Sequence, residues 1–397
     1  MAEPGPRHVV IRPAAHTMLL AADRPLRLGC VLHDHGDLAV IDGSPGREAV
    51  LLPPGSRADL RAEDTFLVCA WDGRRFSAHT LVDGEPGAEV DVTVVPDGSD
   101  AFERVRGIFE TDLLEDRAVA VFGVGSGGSF IVRELAKAGV GRFLLVDHDR
   151  LEVGNISRHE CGMPDVGRLK VNAVRDLIHR HNPGAQVVTC AERLTGDSRA
   201  RMRGLVRRTG ADLLIGATDT RESRLLLNRI ALRENLPLIL GGMHRRAYGG
   251  IVQRVVPGLT ACYQCFVQTL PQEAADNEIS SEADAAAAGY TDRLVAPQPG
   301  LSTDIVPVAL HIAKLAVLDL LDGASPALRS LDADLVANFY RWANRREEIY
   351  AGLRPMRDTV DGMTVLRWYG GVLPRQDDCA VCSPGDDSFD DGTFGTG

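Results

Sequence analysis

Short apolar runs alternate with amphipathic stretches through the middle of the chain. Continuous apolar strands separated by helical crossovers are typical of a mainly parallel sheet that helices cover on both faces. The pattern therefore predicts an α/β domain with a Rossmann-like sheet. The predicted strands are AVAVFGVG (118–125), RFLLVD (142–147), AQVVTC (185–190), ADLLIGAT (211–218) and PLILGG (237–242), and the predicted helices cover about 129–138, 168–181, 221–235 and a segment after Ser302.

The first hundred residues have a different texture. The β-type runs HVVIRP, TFLVCAW and VDVTVV are cut by Asp-Gly, Pro-Gly and Pro-Pro turns, which predicts a small β-rich domain over 1–100. Its sequence gives no direct clue to a role, and we expect it to recruit a substrate or partner. The α/β domain is expected over 101–383, with a loop or short exposed helix at 272–292. The acidic, glycine-rich tail 384–397 is expected to be disordered.

Composition excludes several classes of protein. The 397 residues carry a net charge of −11 and no cluster of Lys and Arg that could follow a phosphate backbone, which argues against a nucleic-acid partner. The start has no apolar signal-peptide core, and the longest apolar helical stretch (306–321) is interrupted by His311, Lys314 and Asp319, so no membrane span is expected. Eight cysteines without secretory features indicate thiols or metal ligands in a reducing compartment, and we expect a cytoplasmic protein.

The strongest local motif is VFGVGSGGS at 121–129. Gly123, Gly125 and Gly128 satisfy G-x-G-x-x-G, in which glycines permit a tight turn and let backbone N–H groups approach a phosphate at a helix N-terminus. Asp147 ends the next predicted strand, where a dinucleotide-binding protein places the acid that holds a ribose hydroxyl. An NAD-dependent oxidoreductase is therefore one interpretation.

The residues after Asp147 fit a different reaction. Arg158 and Lys170 follow closely, and hydride transfer does not require them. A reaction between ATP and a carboxylate does, because the two anions repel each other and the leaving pyrophosphate gains charge. Asp219 lies just beyond a strand's carboxyl end, where a carboxylate can hold Mg²⁺. Taken singly, these residues are equally consistent with helix-capping carboxylates and solvated surface charges.

The order of these motifs resembles the ThiF/MoeB/HesA superfamily, the adenylating domain shared with ubiquitin-activating enzymes, over about residues 104–383. The resemblance implies that a C-terminal carboxylate attacks the α-phosphate of ATP to give an acyl-adenylate and pyrophosphate. It implies that the glycine loop contacts the phosphates, Asp147 the ribose, and Asp219 the Mg²⁺. It also implies that Asn155, Arg158 and Lys170 contact the triphosphate. The positions that carry the resemblance are Gly123, Gly125, Gly127, Gly128, Asp147-x-Asp149, Asn155-x-x-Arg158, Lys170 and Thr218-Asp219.

The resemblance also implies partners. The substrate would be the C-terminus of a ubiquitin-like or sulfur-carrier protein, or a peptide, with a conjugating enzyme or sulfurtransferase downstream. Arg104 or Arg106 would enter the site of a partner protomer, which implies a homodimer. His244, Arg245 and Arg246 either steer a carboxylate tail or are loop charges. A catalytically inactive scaffold subunit of a heterodimeric activating enzyme is the alternative from another class.

Two C-x-x-C pairs, Cys262 with Cys265 and Cys379 with Cys382, suit a closed tetrahedral zinc site of structural type. One pair alone could be a redox dithiol or a packing feature, but two pairs favour zinc, and superfamily members often carry both. Activating enzymes that form a thioester usually carry their nucleophile after the first pair, and residues 266–378 contain no cysteine. Cys161 is the remaining candidate, since a cation such as Arg158 nearby could lower its pKa. Otherwise the enzyme stops at the adenylate.

Overall fold

The computed structural model describes residues 6–43, 46–56, 65–82, 85–95, 102, 110–270, 300–321, 323–324, 329–353 and 363–383. The chain divides into two compact units, residues 1–100 and 101–397. Three sequence predictions fall outside the described residues: the arginines Arg104 and Arg106, the stretch 272–292 and the tail 384–397.

The first unit is a closed barrel of seven strands in the order β1-β3-β2-β4-β5-β6-β7. Strand β1 pairs in parallel with both β3 and β7, which closes the ring. The first helix, α1, places Ala15 and Leu19 in the same buried cluster as the strand residues Val9 and Ile11. The elements are β1 His8–Ile11, α1 Pro13–Leu20, β2 Leu26–His33, β3 Leu38–Ile41, β4 Arg47–Leu52, β5 Thr65–Trp71, β6 Phe76–Val82 and β7 Glu85–Val94.

The second unit is an eight-stranded sheet in the order β10-β9-β8-β11-β12-β13-β14-β15. Its strands are β8 Ala118–Phe122, β9 Arg142–Val146, β10 Gln186–Cys190, β11 Leu213–Gly216, β12 Leu238–Met243, β13 Gly249–Val255, β14 Phe339–Ala343 and β15 Arg367–Gly371. Its helices are α2 Thr111–Glu115, α3 Ser126–Ala138, α4 Lys170–His181, α5 Arg199–Thr209, α6 Arg221–Glu234, α7 Tyr263–Gln268, α8 Ser302–Leu321 and α9 Arg329–Asp334.

The sheet is mixed. The five strands from β10 to β12 are parallel, as the sequence predicts, and they lie where the five apolar runs place them. Strands β13, β14 and β15 then extend the sheet in antiparallel fashion, and the sequence analysis missed them. Their sequences, GGIVQRV, FYRWA and RWYGG, mix glycine, charge and aromatic rings, so they lack the continuous apolar runs that mark the inner parallel strands.

The core of the second unit occupies both faces of the sheet. Along β8, Val119 and Val121 join the cluster that contains α3, α4 and α8, whereas Ala120 and Phe122 join the cluster of α5, α6 and α7. Burial on both sides explains why the inner parallel strands β8, β9, β11 and β12 are largely apolar, whereas the edge strand β10 is half-exposed. No helix in the described ranges combines the length and the apolar character that a bilayer crossing needs.

Candidate nucleotide site

The candidate site lies at the topological switch point of the sheet, between β8 and β11, where the strand order changes direction. Strand β8 has β9 on one side and β11 on the other, so the loops after β8 and β11 leave the sheet towards opposite sides. Ligands of open α/β sheets bind at the strands' carboxyl ends beside such a point. The glycine loop (residues 123–128) follows β8, Asp147 follows β9 and Asp219 lies just beyond β11.

The positions in this loop require glycine for different reasons. Gly123 has φ +88°, and a Cβ there would lie 2.6 Å from the carbonyl oxygen of Ala217. A Cβ on Gly128 would lie 2.0 Å from the carbonyl oxygen of Gly123. A Cβ on Gly125 would meet no protein atom within 4 Å, and one on Gly127 would only touch Ile305 at 3.9 Å. Packing therefore requires Gly123 and Gly128, while Gly125 faces open space at the start of α3, where backbone N–H groups can receive an anion.

Asp147 organises this end of the sheet. Its Oδ2 accepts a hydrogen bond from the Val124 N–H at 2.9 Å, and its Oδ1 accepts one from the Asp149 N–H at 2.9 Å. The Asp149 carbonyl in turn accepts the Lys170 N–H at 2.9 Å. These bonds fold the chain back on itself, so that Lys170 at the start of α4 returns to the end of β9.

Lys170 is the buried cation of the site. Its Nζ lies 2.7 Å from Asp149 Oδ2, and its side chain is 11% exposed. Burial lowers the pKa of Lys170, but Asp147, Asp149 and Asp219 together outweigh burial and raise it. For Asp149, burial raises the pKa, and Lys170, His148 and Arg193 reverse this and hold it below its ordinary value. The pair therefore stays charged at neutral pH.

Asp219 has the opposite electrostatic balance. Its side chain is reachable by water, yet protein surrounds it closely enough that desolvation raises the pKa of its carboxyl. Arg224 and Lys170 oppose this rise, and Asp147 and Asp149 add to it. Its carboxyl oxygens have no hydrogen-bond partner within the described residues. An under-compensated carboxylate beside two others is an oxygen donor set of the kind that Mg²⁺ binds.

A second group of metal-binding side chains lies next to it. One ligand atom each from Asp147, His148 and Asp149 falls within 4.8 Å of the others. Arg193 Nη2 already lies 2.9 Å from His148 Nε2, and Lys170 already binds Asp149. Because these partners compete with a cation, Asp219 fits a metal better than this group does.

Asn155 and Arg158 lie in one turn, but only Asn155 uses its side chain in a hydrogen bond within that turn. Asn155 Oδ1 accepts the Glu152 N–H at 3.1 Å, which caps the turn and leaves the amide nitrogen for a ligand. The Arg158 guanidinium is half-buried and makes no ion pair within the described residues. Arg158 can therefore receive an anion, whereas Asn155 has at least a structural role.

Sequence reasoning missed His159. This side chain is 7% exposed, and its Nε2 lies 2.9 Å from the carbonyl oxygen of Val124 inside the glycine loop. Nothing in its spacing from Arg158 indicated the contact. Cys161 does not have the lowered pKa that a nearby cation would give: burial raises the pKa of its thiol to about 11, and Asp165 adds to the rise. The cations that act on it are Arg180 and Arg168, which only oppose these effects.

Residues 101–347, more than half of the chain, match the ThiF family. The chain belongs to the ThiF family. Ubiquitin-like modifier-activating enzyme 5 of Caenorhabditis elegans is 29% identical to this ThiF chain over 171 residues, which are 42% of the chain and 41% of that protein. Its counterpart from Oryza sativa is 26% identical over 243 residues, 59% of the chain and 52% of that protein. The matches thus span about half or less of these relatives.

Solved structures show the same fold. E. coli MccB with MccA-N7isoASN has a TM-score of 0.51 and 17% identity, and covers 72% of the ThiF chain and 75% of MccB. MccB with AMPCPP and MccA has a TM-score of 0.50 and 18% identity over the same shares. The glycine loop, Asp147, Lys170 and Asp219 all lie within the ThiF match, whereas Cys379 and Cys382 lie beyond it.

The two cysteine pairs of the ThiF chain come together. Cys262 Sγ lies 3.9 Å from Cys265 Sγ and 3.8 Å from Cys379 Sγ, and Cys265 Sγ lies 3.4 Å from Cys382 Sγ. Four thiolates about 2.3 Å from a tetrahedral zinc lie roughly 3.8 Å apart, so this cluster fits the metal. Gln253 Nε2 donates to the carbonyl oxygens of Ala261 and Cys262 and fixes the first pair.

The loop after β12 gives little support to a carboxylate-steering role for His244. Its ring stacks on Tyr248 at 4.9 Å between centroids. Burial, with Arg341 and Arg224 as minor causes, lowers the pKa of His244 to about 4, so the ring is neutral. Arg245 is exposed, and Arg246 lies 3.9 Å from Glu347. Only Arg245 and Arg246 keep a charge that could guide a substrate.

Proposed function

We propose that this ThiF chain is an ATP-dependent adenylyltransferase that activates the C-terminal carboxylate of a protein or peptide. The observation that carries the proposal is the grouping of Lys170, Asp219 and the glycine loop at the switch point of the sheet. Asp219 and Lys170 are each among the charges that shift the other's pKa, which supports placing them in one site. Such a site offers both a fixed cation and a metal ligand to a phosphate chain.

The proposed reaction joins two anions. A carboxylate oxygen of the substrate attacks the α-phosphorus of ATP, the bond to the β-phosphate oxygen breaks, and pyrophosphate leaves with the electron pair. The glycine loop and α3 would hold the phosphates and Asp147 the ribose, while Arg158 and Lys170 would offset the charge that develops. Mg²⁺ held by Asp219 would neutralise phosphate oxygens when bound. The substrate carboxylate is already ionised, so no general base is needed.

The relatives support a proposal for the substrate class. Ubiquitin-like modifier-activating enzymes match this chain in sequence, and MccB with MccA matches it in fold. We therefore propose the C-terminus of a ubiquitin-like or sulfur-carrier protein, or of a peptide, as the substrate. The N-terminal barrel is proposed to recruit the substrate or a partner.

The chemistry of the cysteines favours transfer of the acyl group to another molecule. All eight cysteines belong to the described residues, and four of them form the thiolate cluster. The other four are buried, and burial raises the pKa of Cys30 and of Cys161 to about 11. We propose that the acyl-adenylate passes to a thiol or amine outside these 397 residues, as on a conjugating enzyme or sulfurtransferase.

The deciding experiment is Mg²⁺-dependent ATP–pyrophosphate exchange with a panel of candidate carriers. Exchange is expected in the presence of the cognate carrier and about 100-fold lower in Lys170→Ala or Arg158→Ala, because the transition state loses a fixed cation. Lys137→Ala is the matched control, since this exposed lysine on α3 pairs only with Glu134 in the described structure. Full exchange in both site variants would contradict the assignment.

The same assay separates the two alternative functions. Oxidation of NADH without exchange would support the oxidoreductase alternative, and exchange only after an active homologue is added would support the scaffold.

Mass spectrometry of the same mixture tests the hand-over. A carrier adenylate without any enzyme adduct is expected. A thiol-sensitive adduct on the enzyme that disappears in Cys161→Ala would show instead that Cys161 receives the acyl group.

A further inference from the structure

One residue of the glycine loop is held from both sides by side chains of other loops. The Val124 N–H donates to Asp147 Oδ2 at 2.9 Å, and the Val124 carbonyl oxygen lies 2.9 Å from His159 Nε2. The Val124 side chain is itself fully buried in the core under α3. The peptide groups on either side of Val124 therefore have fixed orientations.

The direction of the His159 hydrogen bond is set by a third partner. The Cys161 N–H donates to His159 Nδ1 at 3.0 Å, so Nδ1 carries the lone pair. A neutral imidazole then carries its proton on Nε2 and donates it to the Val124 carbonyl. Burial lowers the pKa of His159, which keeps the ring in this neutral form.

This contact bears on the part of the loop that faces open space. In a trans peptide the C=O of one residue and the N–H of the next point in opposite directions. Holding the Val124 carbonyl towards His159 therefore turns the Gly125 N–H away from it. That N–H has no hydrogen-bond partner in the described part of the chain, and a Cβ on Gly125 would meet no protein atom.

The same side chain connects the loop to the proposed triphosphate cation. His159 directly follows Arg158, and the N–H groups of both residues donate to the Asn155 carbonyl at 3.0 Å. Histidine at 159 thus joins the turn that carries Arg158 to the loop that carries Gly125. We propose that His159 is a positioning residue that orients the Gly125 N–H and the Arg158 turn for the phosphates of ATP. This inference rests on the proposed function, because it takes the loop's ligand to be ATP.

The test compares His159→Phe with His159→Gln in the full chain. Phenylalanine keeps the ring's volume but removes both hydrogen bonds, so the Kd for ATP is expected to rise about tenfold. Glutamine can place an amide N–H where Nε2 lies, so affinity is expected to return to within about threefold of wild type. His179→Phe is the matched control, because His179 Nε2 also contacts a backbone carbonyl, that of Ala185 at 3.1 Å, at the opposite end of the sheet.

Amide hydrogen exchange tests the positioning role apart from ATP. The Val124 amide is expected to exchange about tenfold faster in His159→Phe than in wild type, and at the wild-type rate in His179→Phe. If wild type does not bind ATP but the Val124 amide responds as expected, the proposed function fails and the clamp on the loop stands. If a folded His159→Phe variant keeps the wild-type amide exchange rate at Val124 and the wild-type ATP affinity, the inference is overturned. An equal loss of ATP affinity in His179→Phe would also overturn it.

Discussion

At the residue scale, the site combines a cation whose charge the surrounding residues stabilise with a carboxylate whose charge they destabilise. Lys170 has three acidic neighbours that raise its pKa, whereas desolvation by the surrounding protein raises the pKa of Asp219 although water still reaches its side chain. An acid whose pKa is higher in the folded chain than in the unfolded chain costs folding free energy once it is ionised. Function and stability therefore oppose each other at Asp219.

Asp219→Asn is expected to stabilise the protein and to inactivate it. In wild type this cost grows as the pH rises above the ordinary aspartate value, so the variant should have the higher Tm at pH 7–8 in EDTA. The difference should vanish as the pH falls below about 3.9, the ordinary aspartate value, because both proteins are then neutral there. Mg²⁺-dependent exchange should fall by about 100-fold or more.

Asp212→Asn is the matched comparison for this prediction. Asp212 Oδ2 accepts the Ala118 N–H at 2.7 Å at the other end of the sheet, so its replacement should lower Tm and leave exchange intact. Thermal unfolding between pH 3 and pH 8 measures both effects. A lower Tm for Asp219→Asn at neutral pH would contradict the proposed electrostatic cost.

Two glycines in one loop should separate folding from ligand binding. A Cβ on Gly128 would lie 2.0 Å from the Gly123 oxygen, so Gly128→Ala is expected to destabilise the domain severely. Gly125→Ala meets no protein atom, so it should keep the wild-type Tm and weaken ATP binding about tenfold or more by occupying the space for phosphate. Gly371→Ala, also free of contacts, should change neither. Calorimetry and nucleotide titration decide, and wild-type ATP affinity in Gly125→Ala would place the phosphates elsewhere.

At the element scale, the sequence predicts what burial alone determines. The parallel strands β8, β9, β11 and β12 are largely buried on both faces, so continuous apolar runs located them. The glycines and Asp147 followed from the G-x-G-x-x-G motif and the strand after it. Strand β14 is buried at every residue except Arg341, but its sequence FYRWA interrupts aromatic rings with a charge and so shows no apolar run. His159 acts on a carbonyl 35 residues away, and the environment of Cys161 comes from Asp165, Arg180 and Arg168. Neither contact leaves a local pattern in the sequence.

The thiolate cluster should act as a structural clamp between α7 and the C-terminal segment. Cys262 and Cys379 are 117 residues apart, so a bound metal closes a long loop and should stabilise the folded chain. Purified protein is expected to hold about one zinc per chain, and Cys379→Ser should lose that zinc and unfold at a lower temperature. Elemental analysis and thermal unfolding measure these effects.

Cys30→Ala in the barrel is the control for the metal content. Its thiol is buried in the barrel core and is not one of the four clustered thiols, so the zinc stoichiometry should not change. The zinc assignment would be contradicted if purified wild-type protein contained no zinc and EDTA did not change its Tm.

At the scale of the whole molecule, a homodimer with shared sites remains a prediction. If Arg104 or Arg106 of one protomer completes the site of the other, a variant lacking both arginines and an Arg158→Ala variant should each be inactive alone. Mixed after dissociation, about half of the dimers would contain one of each, and one of their two sites would be intact. Exchange should then recover to about a quarter of the wild-type rate. No recovery in verified mixed dimers would argue that each protomer works by itself.

Closure of the N-terminal barrel restricts how it could hold a flexible chain. Every strand described in the barrel has a neighbouring strand on each side, so the barrel offers no open edge strand for an extended peptide to join, and we expect no β-augmentation there. Any guest must be read through side chains on the outer surface or at the barrel's rims. N-methylation of the guest's backbone would then be tolerated, and exchanging its side chains for alanine would not.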